Sequence, residues 1–133
     1  AEGNQPESSG LLVEANAATR NETGNLLSLT WSIENATDDY VQLTWLYDQS
    51  YTYSGPYFSG ITTIDPSSGT KFHPVMDGNG ECLCAGNTSG SFFNEVAPDG
   101  KTTYWSLFST HSDVESVDLE VPGFEPIEDI PID

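Results

Sequence analysis

Between Leu27 and Ile33 the chain alternates strictly, with Leu27, Leu29, Trp31 and Ile33 on one set of positions and Ser28, Thr30 and Ser32 between them. A period of two sends successive side chains to opposite faces, so this run predicts a half-buried antiparallel strand. After a turn cluster at Asn35 to Asp39 the alternation resumes at Val41, Leu43 and Trp45. The two runs are therefore expected as a hairpin, or as neighbours in one sheet. Leu29, Trp31, Ile33, Leu43, Trp45 and, far downstream, Leu119 are the expected shared core, because a slip of one residue would expose the whole set.

The rest of the chain reads in the same way. Leu11 to Ala17 is a shorter strand, and Gly60 to Ile64, Thr70 to His73 and Glu81 to Cys84 are short runs set off by Asp-Pro, Ser-Ser-Gly and Asp-Gly-Asn-Gly turns. Thr102 to Ser109 is a strong strand, and Val117, Leu119 and Val121 alternate with Asp118 and Glu120. The closing PGFEPIEDIPI carries Pro122, Pro126 and Pro131, which suits an extended edge segment and no central strand. Many short strands with frequent turn signals predict an all-β, immunoglobulin-like antiparallel β-sandwich over residues 11–133, with a small barrel as the rival. AEGNQPESSG, residues 1–10, is polar and rich in Gly, Pro and Ser, and is expected as a flexible leader or tether.

Charge narrows the function. Twenty-one carboxylates face only Arg20, Lys71 and Lys101, a net charge of −18 in 133 residues. Phosphate backbones and anionic lipid headgroups are repelled, so nucleic acid is excluded as a partner. No run approaches the ~18 apolar residues of a membrane span, so no direct membrane insertion is expected. The carboxylates are dispersed rather than blocked, which also suits a protein exposed to high salt, where self-repulsion is screened.

Three stretches, LTWSIENATDDYVQL, GITTIDPSSGTKFHPVMDGNGECLCAG and YWSLFSTHSDVESVDLEVPGFEPIEDIPI, together resemble an Ig-like domain of secreted proteins and lipoproteins of actinobacteria. The marks that carry the resemblance are the Ile64-Asp65-Pro66 turn, the Cys82-Leu83-Cys84 pair and the Val121-Pro122-Gly123-Phe124 ending. In some relatives that domain precedes a peptidoglycan-binding module of the outer-membrane-protein-A type; any anchoring by that route would lie outside this chain. The resemblance implies a secreted or envelope-anchored, extracytoplasmic sandwich with no established enzymatic activity, and fold likeness alone does not transfer function.

Four groups of residues are candidates for chemistry. Cys82 and Cys84, the only cysteines, read as a disulfide in the oxidising compartment that the resemblance implies, with a metal thiolate pair or a redox pair as alternatives. Positions i and i+2 of a regular strand lie ~6.6–6.8 Å apart, the upper limit for bridging, so a disulfide requires a kink between Gly80 and Gly86. Asp77, Asn79 and Glu81 set three oxygen-bearing side chains at alternate positions, a partial likeness to a calcium loop. The loop pattern then fails, since Cys82 stands where its glycine belongs; a Gly-rich Asx hairpin turn is the default, and no cofactor other than Ca²⁺ is suggested. His111 and Asp113 lack the Gly-x-Ser-x-Gly elbow of a hydrolase. Finally, Tyr47, Tyr51, Tyr53, Tyr57 and Phe58 lie among Ser, Gly and Pro, the chemistry of a binding loop, with packing over one end of the sandwich as the alternative.

Those features define the expectation. It is a non-catalytic module for adhesion, scaffolding or ligand binding, with a protein or carbohydrate partner at the cell surface. A calcium-stabilised carbohydrate-binding module and a small hydrolase are the alternatives.

Overall fold

The computed structural model describes residues 1–21, 25–46, 58–85 and 95–133. Among these described residues nine strands follow one another: β1 (Leu11–Arg20), β2 (Leu26–Asn35), β3 (Val41–Gln42), β4 (Thr62–Asp65), β5 (Thr70–Phe72), β6 (Glu95–Val96), β7 (Lys101–Ser109), β8 (Ser116–Glu120) and β9 (Ile127–Pro131). They form three antiparallel sheets, in the orders β1-β2-β7, β5-β4-β8-β9 and β3-β6. The fold is all-β, and the two larger sheets contribute to one shared core.

The alternation of β2 sets that core. Leu27, Leu29, Trp31 and Ile33 are all fully buried, as their period requires. β7 faces the same interior with Tyr104, Ser106 and Phe108, while β8 answers from the opposite sheet with Val117 and Leu119. Trp31 stacks near Tyr104 at 4.9 Å and Phe58 at 6.2 Å, and its indole N–H donates to the Ser106 hydroxyl at 3.3 Å. The buried indole thus keeps its polar handle satisfied.

The expected hairpin between the runs 27–33 and 41–45 does not form. β2 pairs with β1 and β7, and β3 pairs instead with β6 through Val41 and Val96. Asn35 supplies the reason. Its side chain, fully buried at the end of β2, donates to the carbonyls of Asp39 at 2.8 Å and Val96 at 2.9 Å. The amide oxygen accepts from the backbone N–H and the hydroxyl of Thr37. The Asx turn this makes leads the chain out of the sheet and beside β6. Asn35→Ala orphans the buried Val96 carbonyl and loses the turn's other bonds, so a loss of about 2 kcal/mol in urea unfolding is expected; a loss below about 1 kcal/mol would show that the turn closes without it. Since Asn35 heads a sequon, the same burial withdraws its amide from glycosylation.

Trp45 departs from its expected place for a related reason. β3 ends at Gln42, and Thr44–Leu46 is a 3₁₀ turn. Three residues per turn carry Leu43 and Leu46 inward together and leave Trp45 half-buried, its indole N–H donating to the Pro122 carbonyl at 2.7 Å.

Residues 1–10, expected as a flexible leader, are built into the fold. Glu2 bridges to Leu12 and Gly3 to Phe124, and Pro6–Ser8 forms a 3₁₀ turn whose buried Ser8 donates its hydroxyl to the Gly123 carbonyl. Backbone pairing needs no apolar side chains, so composition gave no sign of it. A side chain at Gly3 would collide with the Ser8 carbonyl. Gly123 lies in the left-handed region at φ +90°, where glycine avoids the Cβ strain of other residues. At the other terminus β9 is the expected edge strand, and its bulge at Asp129, with φ 56°, is held by the Asp118 carboxylate accepting from the Asp129 N–H at 2.9 Å. The opposite edge, β5, is three residues long and exposes Lys71, both of which discourage pairing with another chain.

Candidate functional site

Most of the tyrosine-rich segment, Tyr47, Tyr51, Tyr53 and Tyr57, lies outside the described residues. Phe58 does not, and it is core: fully buried, edge-on to Tyr104 at 4.9 Å. It has no face left for a ligand. Burial also pushes the Tyr104 phenol well above its ordinary pKa, so it stays neutral.

Asp77, Asn79 and Glu81 form the turn that was the default expectation. One carboxylate oxygen of Asp77 accepts from the backbone N–H groups of Asn79 and Glu81, both at 2.9 Å. Asp77 and Glu81 close the hairpin N–H to carbonyl at 2.8 Å, and Gly80 takes φ +82°. That oxygen is already occupied by the backbone. Among the described residues no group of three His, Cys, Asp or Glu side chains is placed to hold a metal ion. Asp65 does the same work in the Ile64-Asp65-Pro66 turn, where the hydroxyls of Ser67 and Ser68 donate to its carboxylate at 2.8 Å each. Those donors hold the Asp65 carboxyl below its usual range.

Cys82 and Cys84 are joined in a disulfide. Their Cα atoms lie 5.3 Å apart, shorter than the ~6.6–6.8 Å of a regular strand, so the backbone is kinked as the spacing demanded. The expected strand at Glu81 to Cys84 is replaced by single bridges, Met76 to Cys82 and Cys84 to Ser106. Leu83 donates its N–H to Val75 and accepts from Leu107, so the pair fastens an irregular segment along the free side of β7. Both sulfur-bearing side chains are buried.

The surface that sequence reasoning missed lies on the outer face of the β1-β2-β7 sheet. Tyr104, Ser106 and Phe108 point inward, so Thr103, Trp105 and Leu107 point out. Trp105 is 36% exposed and sits directly across from Thr30. The three exposed large hydrophobic side chains among the described residues are Tyr40 (67%), Met76 (40%) and Trp105, and all three border β7. A hollow of about 320 Å³ holds Tyr40 beside Lys101 at the start of the strand. A second of about 290 Å³, lined by Leu26, Ser28 and Leu107, lies toward its end. The hydroxyls of Thr19, Ser28, Thr30 and Thr103 have no partner among the described residues.

Alternation in 101–109 was the available signal, but large side chains occupy both parities there. Tyr104 and Phe108 compete with Trp105 and Leu107, and only pairing with β2 decides which set faces the core.

Charge on this sheet is unlike the rest. Its three strands carry two carboxylates, Glu14 and Glu34, and two cations, Arg20 and Lys101, leaving nineteen carboxylates and Lys71 for the remainder. Lys101 and Glu14 form an ion pair at 3.0 Å, the one salt bridge among the described residues. The Arg20 guanidinium is turned to the Ser112 carbonyl at 2.7 Å. The opposite sheet turns Asp118 and Glu120 outward from β8.

No protein-family model, curated protein or solved structure matches the chain. What fold and site define is a class: a small all-β domain, antiparallel throughout, with an open aromatic- and hydroxyl-bearing sheet face.

Proposed function

We propose that the chain is a non-catalytic, immunoglobulin-like module that works outside the cytoplasm and binds a ligand at the cell envelope through the outer face of β1-β2-β7. The observation that carries the reading is Trp105, a large side chain 36% exposed on the outer face of the β1-β2-β7 sheet, amid hydroxyls without intramolecular partners among the described residues. Rigid strands hold an aromatic platform more firmly than loops do. The Cys82–Cys84 disulfide supports the extracytoplasmic placement, because reducing compartments do not sustain such bonds. The resemblance to secreted actinobacterial Ig-like domains supports the same placement.

Cosedimentation with isolated envelopes of the source cells tests the reading. The intact domain partitions with the envelopes, and Trp105→Ala weakens that partition by about tenfold or more, as loss of an aromatic anchor does. Equal sedimentation of both proteins, or of neither, would remove the face as the binding surface. Turnover of a glycoside, ester or peptide by the purified domain would overturn the non-catalytic assignment.

A further inference from the structure

Resting on that reading, we infer that the ligand is an uncharged polysaccharide, laid along β7 with a sugar ring stacked on Trp105. Three observations converge on this class. The first is charge: the protein carries −18 in all, yet the outward positions of this sheet hold only Glu14, Glu34 and Lys101, two of them paired with each other. An anionic polymer is repelled by the molecule as a whole, and a cationic one is drawn to Asp118, Glu120 and their neighbours on the other sheet rather than here. Only a neutral ligand finds this face no worse than any other.

The second is surface chemistry. The face of an indole is electron-rich and attracts the C–H bonds that cover one face of a pyranose ring. Around Trp105, Thr30 stands across on β2, Thr103 lies two residues back on β7, and Ser28 lies diagonally. Each offers a hydroxyl able both to donate and to accept, which matches the equatorial hydroxyls of a sugar. A protein partner would ask for a broad apolar centre with a polar rim, and this face offers a single aromatic, Trp105, in a field of hydroxyls.

The third is shape. Three strands of about ten residues make a face about 14 Å wide and about 33 Å long, or roughly 460 Å². A narrow polymer fits such a strip, and the hollow over Leu107 and Ser28 at the end of β7 gives it a further place to rest.

Affinity electrophoresis in gels holding one polysaccharide each provides the test. The neutral panel is β-1,4-glucan, β-1,3-glucan, mannan, xylan and α-1,4-glucan, with polygalacturonate as the charged comparison. At least one neutral polymer retards the domain, and polygalacturonate does not. In that gel Trp105→Ala loses about tenfold or more in affinity, Trp105→Phe recovers part of it, and Lys71→Ala on the other sheet changes nothing. A melting curve on each variant verifies folding. Retardation by no neutral polymer, or equal retardation of Trp105→Ala, overturns the inference. If the domain still sediments with envelopes through Trp105 and protease treatment of the envelopes abolishes this, the partner is a protein: the binding module stands and the saccharide falls. If sedimentation is absent as well, both fall.

Discussion

Trp31→Ala lowers the stability of the domain by about 3–5 kcal/mol, the usual cost of truncating a large core aromatic. Trp31 is fully buried at the centre of β2, in contact with Phe58 and Tyr104, and it donates to Ser106. Alanine would leave a cavity between the two sheets and strand the Ser106 hydroxyl, itself fully buried. A domain of this size has only about 5–15 kcal/mol to lose, so the variant stands near the edge of folding. Trp31→Phe keeps most of the volume and gives up the hydrogen bond, and its loss is smaller than that of alanine. Urea unfolding followed by circular dichroism reads both. A Trp31→Ala midpoint within about 1 kcal/mol of the parent would mean that the core closes elsewhere.

Stability rises steeply as sodium chloride increases from dilute buffer to molar concentration. Nineteen carboxylates outside the β1-β2-β7 sheet share a single cation, Lys71. Two such charges about 10 Å apart in water repel by roughly 0.4 kcal/mol, and many pairs sum to several kcal/mol. At 1 M salt the screening length falls to about 3 Å and nearly all of this is removed. Each kcal/mol recovered lifts the melting temperature by about 4 °C in a chain of this length. A thermal melt across the salt series measures the effect, and a flat midpoint would show that the unfolded chain is repelled as strongly as the folded one. Calcium separates screening from binding. Matched in ionic strength, it should do little more than sodium, because the Asp77 carboxylate already serves its own turn.

Part of this architecture is legible in the order of residues alone. β2 is legible because its two faces differ in chemistry at every step, Leu27 against Ser28, Trp31 against Ser32. The Asp65 and Asp77 turns are legible because a carboxylate, a glycine and their backbone partners lie within five residues of one another. The kink at Cys82 to Cys84 follows from the reach of a disulfide. Each is a local matter, settled by neighbours in the chain.

Partnership is not legible in that way. Trp31 lies beside Tyr104 and Ala15, not beside a residue of the following run, and Val41 finds Val96. Segments that alternate alike are interchangeable to a local reading, and the choice among them falls to whichever pairing buries the most apolar surface without orphaning a polar group. Asn35 shows the second condition at work, since its buried amide needs the Val96 carbonyl. The outer face waits on the same choice: Trp105 is a core residue or a platform only according to which side of β7 meets β2. The sequence alone determined that β2, β7 and β8 form strands, because alternation is a property of the chain. Tertiary structure alone decided which faces became interior, because burial is a property of the pair.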